Sequence, residues 1–271
     1  MNIIGIDFGS TLAKIIECDE KGELINKMLL KEKDFKKTMT DFVSSNDIDI
    51  SNIEAIVITG VGASKVADED FGGVKIIKDN EFLCIARGGL ELAGKKEAII
   101  ASMGTGTAFV RVSKEDIKHL GGTGVGGGTL IHLCSKFVGT SSFDEIVELA
   151  KSGDLGNVDL RISDISEEEI PGLPKDITAC NFGKLSPEAT DSDIALGIIN
   201  MIFETIGMLA VFATKNDTIQ KIITVGSLTM VPQGQRVFRM LEDLCNVRFI
   251  TPENAEIAVA IGAVKRYLET I

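Results

Sequence analysis

Four short segments of this chain combine glycine with side chains able to handle phosphate. The apolar run at residues 2–6 ends in Asp7 and continues as Phe8-Gly9-Ser10-Thr11-Leu12-Ala13-Lys14. Glycine lets a ligand come close to the main chain, the turn amides and the hydroxyls of Ser10 and Thr11 can donate to phosphate oxygens, and Lys14 adds a positive charge. Asp7 suits Mg²⁺, which binds through few carboxylates, keeps several waters and takes substrate phosphates as ligands. Alone, the segment is also ordinary hairpin chemistry. A second segment, Ser102-Met103-Gly104-Thr105-Gly106-Thr107, is equally open and rich in hydroxyls but has no acid in the place of Asp7. Two such turns facing each other could clamp the β- and γ-phosphates of a nucleotide with one metal between them.

The third segment, Gly121-Gly122-Thr123-Gly124-Val125-Gly126-Gly127-Gly128-Thr129, runs into a predicted helix whose N-terminus can attract an anion. Its G-x-G-x-x-G match at Gly122, Gly124 and Gly127 follows a charged stretch rather than a buried strand, so it is a poor dinucleotide fingerprint. No Walker A sequence is present. In the fourth segment, Val225-Gly226-Ser227-Leu228, a predicted strand ends on a small-residue turn, either a plain strand end or a seat for adenosine.

These turns need elements to position them. Apolar patterning predicts strands at residues 2–7, 12–18 and 24–30, a helix at 34–45, strands at 55–59 and 74–77, and a helix at 80–92. Residues 98–107 then repeat the order strand, polar glycine turn, strand found at the start, which marks an internal repeat. Helices are expected from near Gly127, at 142–152, 194–213 and 231–245, and from Glu253, with strands at 221–225 and 247–250. Two halves of β-β-β-α-β-α order, residues 1–95 and 96–271, predict two facing α/β lobes with the site in the cleft between them. One doubly wound sheet with unrelated glycine turns is the alternative.

Composition narrows the function. The chain has 40 acidic and 28 basic residues, a net charge of −12, so its field repels polyphosphate backbones and anionic lipid and predicts neither a nucleic-acid nor a membrane partner. With 44% hydrophobic and 25% charged residues it falls among globular proteins. Five scattered cysteines without a C-x-x-C pair argue against a disulfide framework or a zinc site and predict small buried hydrophobes in a reducing, cytoplasmic compartment. The opening residues lack the basic start of a secretory leader and read as a mature start. Asn200 and Glu204 interrupt the apolar run 194–213, which therefore reads as a core helix.

The order Asp7-x-Gly9-Ser10-Thr11-Leu12-Ala13-Lys14, Glu81-Phe82, Gly104-Thr105-Gly106-Thr107, Gly121 to Gly128, Phe143 and Gly226-Ser227 resembles the type II pantothenate kinases of coenzyme A biosynthesis. These are members of the actin, sugar-kinase and heat-shock ATPase superfamily. The resemblance runs nearly end to end and takes in Ile177-Thr178-Ala179-Cys180-Asn181-Phe182-Gly183. It implies two facing actin-like (ribonuclease H-like) lobes with an ATP cleft between them, ATP and Mg²⁺ as cofactors, and phosphorylation of the primary hydroxyl of pantothenate by a cytoplasmic homodimer. Residue by residue, it implies that Asp7, Gly9, Ser10, Thr11, Leu12 and Lys14 bind the nucleotide phosphates, with Asp7 at the metal. Thr105 would bind ATP beside the acceptor, and Gly127, Gly128, Thr129, Phe143 and Ser227 would line the nucleotide site. Glu81 matches the catalytic base; without the resemblance it reads as a first-turn helix residue favoured by the helix dipole.

Two departures qualify the acceptor. Where the family has an arginine that contacts the acceptor, this chain has His119, whose imidazole cannot offer the fixed fork of a guanidinium; otherwise it reads as an exposed loop residue. Lys118 or Arg111 could supply the missing charge. Residues 253–262 are bulkier than in the family. The alternatives are a kinase for a pantetheine-like acceptor and a nucleotide-binding paralogue without turnover. An oxidoreductase resting on Gly122, Gly124 and Gly127 is a third.

Overall fold

In a computed structural model of the chain, which describes all residues except 68, 169, 173 and 216, two sheets face each other across a pair of crossed helices. The first half supplies β1 (Asn2–Phe8), β2 (Ala13–Cys18), β3 (Leu24–Leu30), α1 (Phe35–Ser45), β4 (Ile53–Thr59), β5 (Asp70–Phe71), β6 (Val74–Lys78) and α2 (Glu81–Ala93). The second supplies β7 (Ala98–Met103), β8 (Thr107–Val112), β9 (Ile117–Thr123), α3 (Gly127–Phe137), α4 (Phe143–Leu149), β10 (Leu160–Arg161), α5 (Ile162–Ile165) and β11 (Thr178–Cys180). It continues with α6 (Asp191–Thr214), β12 (Lys221–Val225), α7 (Gly234–Cys245), β13 (Arg248–Ile250) and α8 (Ala258–Leu268).

The strand orders, β3-β2-β1-β4-β6-β5 and β13-β12-β7-β8-β9, are two versions of one arrangement. In each an antiparallel three-strand meander is extended by two parallel strands, and in the first the short β5 adds an antiparallel edge to β6. The register confirms the repeat, since Asp7 lies opposite Thr59 just as Ser102 lies opposite Val225. Five strands in each half correspond; the fifth of each, β6 and β13, were both expected as strands from the sequence and stand beyond the β-β-β-α-β-α order. Ile3, Ile4, Ile6, Ile15 and Ile16 are fully buried, because helices cover both faces of the first sheet, and this explains its nearly continuous apolar runs.

The two middle helices are exchanged between the halves. α2 packs on β7, β8 and β12 of the second sheet, whereas α8, the last helix, packs on β1, β2 and β4 of the first. They meet at glycines: a Cβ on Gly88 would lie 1.8 Å from the carbonyl oxygen of Ala258, and one on Gly262 would lie 1.9 Å from that of Cys84. The backbones are therefore in direct contact, which no other residue type permits. Apolar side chains from both sheets and both helices, among them Ile3, Val57, Ile100, Val110, Ala260 and Val264, form one continuous core around this crossing.

Several boundaries differ from the sequence reading. α8 starts at Ala258, not near Glu253, because Asn254 adopts the left-handed conformation (φ 58°) and a 3₁₀ turn spans Ala255–Ile257. α7 starts at Gly234, after a 3₁₀ turn at Ser227–Met230 and Pro232. α4 gives way at Ala150–Ser152 to a 3₁₀ turn that ends at Gly153. Of the cysteines, Cys18, Cys84 and Cys134 are buried, as expected, but Cys180 is exposed at the end of β11 and Cys245 is half-buried. Burial pushes the Cys18 and Cys84 thiols up to about 12. α6 is long and apolar enough to cross a membrane, and here its buried face packs against α3, α7 and the second sheet.

Candidate active site

The turns at the corresponding ends of β1–β2 and β7–β8 touch. Ser10 Oγ and Thr11 Oγ1 lie 2.9 and 3.0 Å from Thr105 Oγ1, so the three exposed hydroxyls form one cluster between the two halves. The first turn is tight: the Gly9 amide donates to the Leu12 carbonyl at 3.1 Å, and a Cβ on Gly9 would lie 2.8 Å from that oxygen.

Beneath this cluster lies a buried ion pair, with Lys14 Nζ 2.6 Å from Asp7 Oδ2 and both side chains under a tenth exposed. The pair follows from the hairpin register, in which Asp7 and Lys14 stand directly opposite each other. The other carboxylate oxygen, Oδ1, lies against Gly60, where a Cβ would come within 2.7 Å of it. Gly60 has φ 92° and opens a 3₁₀ turn after β4, as Gly226 with φ 95° does after β12. A Cβ on Gly226 would in turn lie 2.6 Å from the Met103 carbonyl oxygen. Gly60 is the counterpart of Gly226 in the repeat: Thr59-Gly60-Val61 closes its strand as Val225-Gly226-Ser227 closes the equivalent one.

The glycine run braces the second turn. The Gly127 and Gly128 amides donate to the Gly104 and Thr105 carbonyls at 2.8 and 2.9 Å, and a Cβ on Gly126 would lie 2.5 Å from the Thr105 oxygen. Thr129 Oγ1 accepts from the Gly126 amide and donates to the Gly124 carbonyl. The first amides of α3 are thus engaged with the hairpin. Ser227 stands beside the same turn, following Gly226 and next to Leu228, which packs near Gly127. Phe143 opens α4, half-buried against the core of the second half, and Gln233 Nε2 ties that helix to the segment after Ser227 by donating to the Val147 carbonyl at 2.7 Å.

Glu81 is the first residue of α2. Asn80 caps the helix, its Oδ1 accepting from the Phe82 and Leu83 amides at 3.0 and 3.2 Å. Burial, and next the charge of Asp7, push the Glu81 carboxyl above the usual glutamate range, with Lys14 opposing. The start of α2 is tied to the strand beside the ion pair, because Thr59, which stands opposite Asp7, donates through Oγ1 to the Asp79 carbonyl two residues before Glu81. His119, on β9, stacks on Phe82 with ring centroids 4.0 Å apart and planes 18° from parallel, so it joins the Glu81 end of the cleft. Arg111 does not: its guanidinium is paired with Asp217. Lys118 stands across the ladder from Arg111, on the strand face opposite to His119.

Asp7, Gly9, Ser10, Thr11, Leu12, Lys14, Thr105, Gly127, Gly128, Thr129 and Ser227 thus gather around one pair of turns, with Glu81 and His119 at its flank. Among the described residues no group of three or more His, Cys, Asp or Glu side chains could hold a metal by itself. A hydrated Mg²⁺ needs less than that, and Asp7 Oδ1 beside the Cβ-free Gly60 fits its habit of binding one carboxylate and the phosphates of its substrate.

The profile of the Fumble family matches residues 97–242. A "Type II pantothenate kinase" of Bacillus cereus (strain G9842) is 31% identical over 234 residues, 83% of each chain. A namesake from Staphylococcus epidermidis is 26% identical over 96% of this chain and 98% of its own. Among solved structures, an activator of 2-hydroxyisocaproyl-CoA dehydratase from Clostridium difficile with bound ADPNP superposes with a TM-score of 0.72, at 16% identity, over 100% of this chain and 95% of its own. A ROK family glucokinase from Streptomyces griseus in complex with glucose and AMPPNP gives 0.59, at 14% identity over 98% and 99%. These two share the fold, the two-lobed actin-like architecture expected above. By sequence, the chain belongs to the Fumble family and, within it, to the type II pantothenate kinases.

Proposed function

We propose that the chain transfers the γ-phosphoryl group of ATP to the primary hydroxyl of pantothenate, giving 4′-phosphopantothenate and ADP, the first step of coenzyme A biosynthesis. The observation that carries this reading is Glu81. A carboxylate raised by burial stands at the start of a capped helix, beside the Asp7–Lys14 pair and the joined turns. A positioned base in reach of an alcohol contributes roughly 10²–10⁴-fold. Glu81 takes the hydroxyl proton as the alcohol oxygen bonds to the γ-phosphorus, and the bond to the ADP oxygen breaks. Ser10, Thr11, Thr105 and the turn amides hold the phosphates, exchanging their mutual hydrogen bonds for phosphate oxygens, while the Lys14 contact holds the Asp7 carboxylate in place. Gly127, Gly128 and Thr129 fix the second turn, and Phe143 and Ser227 border the nucleotide. Mg²⁺ at Asp7, when bound, supplies charge neutralisation for the phosphates.

One observation favours a second reading of the acceptor. Arg111 is committed to Asp217, so His119 is the basic side chain of β9 on the face toward α2, and a single imidazole suits an uncharged, pantetheine-like acceptor better than it suits a carboxylate. The outward Leu209 and Phe212 of α6 support assembly as a homodimer, and the charge and cysteine pattern support a cytoplasmic setting. The test is ADP release from MgATP with pantothenate, with pantetheine, and with neither, for the native chain and Glu81→Gln. Pantothenate-dependent turnover that collapses in the variant supports the proposal. Turnover on pantetheine alone supports the second reading, and retained ATP binding without turnover on either would make the chain a silent paralogue.

A further inference from the structure

The segment that delivers Glu81 is held from three sides, and one of the holds comes from the far end of the chain. The Asp79 amide donates to the Ile58 carbonyl at 2.9 Å, and Thr59 Oγ1 donates to the Asp79 carbonyl at 3.1 Å, which ties the exit of β6 to the strand beside Asp7. The Asp79 carboxylate accepts from the Asn80 amide at 2.7 Å, and Asn80 caps α2. The same carboxylate receives a two-pronged contact from Arg266 of α8, with Nε to Oδ2 at 2.7 Å and Nη2 to Oδ1 at 3.1 Å. These side chains are only 28% and 19% exposed. A planar fork fixes both the distance and the plane of a carboxylate, which a lysine ammonium does not.

α8 has anchors other than this contact. The helix is anchored by its buried stretch from Ala258 to Val264 and by the glycine crossing, and Arg266 lies beyond both. What the fork does fix is the direction in which the chain leaves β6 and begins α2. We propose that Arg266 is a positioning residue for phosphoryl transfer: through Asp79 and the Asn80 cap it sets, from the last helix, where the Glu81 carboxylate stands relative to Asp7 and Lys14. The inference rests on the reading of Glu81 as the base. Arg266 pairs with Asp79 and acts on Glu81 through two intervening residues, Asp79 and Asn80.

The experiment measures steady-state ADP release with saturating pantothenate and varied MgATP for the full chain, Arg266→Met, Arg266→Lys, Glu81→Gln and the double variant Arg266→Met/Glu81→Gln. Thermal midpoints and equilibrium binding of a fluorescent ATP analogue are followed in parallel. A displacement of about 1 Å at a reacting group costs up to ~10²-fold, so both Arg266 variants should lose about 10- to 100-fold in kcat, with the KM for ATP and analogue binding within about twofold of the parent. Arg266→Lys keeps the charge and loses the fork, so its failure to rescue marks geometry as the cause. In the Glu81→Gln background Arg266→Met should cost nothing more, because the residue it positions is gone. A kcat within about twofold of the parent in Arg266→Met, or a full further loss in the double variant, overturns the proposal while leaving the base intact. If Glu81→Gln itself keeps the parent kcat, the base reading falls and this inference falls with it.

Discussion

Replacing Gly88 by alanine puts a methyl group where there is no room for one. Its Cβ would lie 1.8 Å from the Ala258 carbonyl oxygen, 2.7 Å from the carbonyl carbon and 2.9 Å from the Gly262 nitrogen, whereas ordinary contact begins near 3.4 Å. All three atoms are main chain, so no side chain can turn aside, and α2 and α8 must separate locally by about 1.5 Å in an interior that is already close-packed. Overpacking of this kind costs about 1–3 kcal/mol and occasionally more; with backbone as the obstacle we expect about 3 kcal/mol. For a chain of this size each kcal/mol lowers Tm by roughly 2–4 °C, so Gly88→Ala should melt about 6–12 °C below the parent in a calorimetric scan. Gly262→Ala, whose Cβ would lie 1.9 Å from the Cys84 oxygen, should behave alike. The double variant should fall short of the sum, since helices already parted have room for the second methyl. Gly124→Ala is the control: nothing lies within 4 Å of its Cβ and its φ is unstrained, so its effect should stay within about 0.5 kcal/mol. If Gly88→Ala melts within about 1 °C of the parent, the backbone contact at this crossing is not what holds the two helices together.

Three further outcomes are expected. Because Glu81 must be ionised to accept a proton and its carboxyl is raised by burial and Asp7, kcat should fall as pH drops through a value above the ordinary glutamate pKa of about 4.3; a rate profile flat to below that value contradicts the assignment. Lys14→Met leaves Asp7 buried without its partner, which costs about 3–5 kcal/mol in denaturant unfolding, and it removes the charge that opposes the rise of Glu81, so the acid limb of any residual activity should move up in pH. Asp193 accepts from the Asp154 and Thr190 amides, from Thr190 Oγ1 and from Asn157 Nδ2, and the two amides hold its carboxyl below the usual range. A depressed folded pKa stabilises above the unfolded value and is lost as pH falls through the folded one. Asp193→Ala should therefore cost about 2–3 kcal/mol near neutral pH and clearly less near pH 3, as read by urea unfolding at each pH.

Local signals carried much of the architecture. Asp34 and Asn80 mark their helix starts as side chains that accept from amides of the first turn, and the glycine turns of the hairpins are visible because few residue types allow them. The meeting of Ser10 and Thr11 with Thr105 was foreseeable only through the repeat, which made the two turns equivalent and therefore facing. What stayed hidden depends on contacts between residues far apart in sequence. Arg266 is 187 positions from Asp79, and nothing near either residue announces the pair. The engagement of the Gly127 and Gly128 amides by Gly104 and Thr105 is equally non-local, so nothing near that helix start announces that it also braces the second turn. Asn254, at φ 58°, delayed α8 because its short polar side chain tolerates a backbone that the apolar pattern around it does not reveal.

The exchange of α2 and α8 also bears on how the chain is made. A ribosome releases the N-terminal half first, yet the inner face of its sheet, with Ile3, Ile16 and Val57, is covered by Ala260 and Val264 near the other end. Gly5 completes that face, since a Cβ there would lie 2.6 Å from the Ala260 oxygen. Until the last helix emerges, an apolar sheet surface waits in water, and α2 meets the strands it covers only as β7, β8 and β12 follow it out. Synthesis therefore passes through a long interval in which the nascent chain exposes adhesive surface, the condition under which chaperone capture and misassembly compete with folding. A stop codon that removed only the final helix would leave that interval without an end.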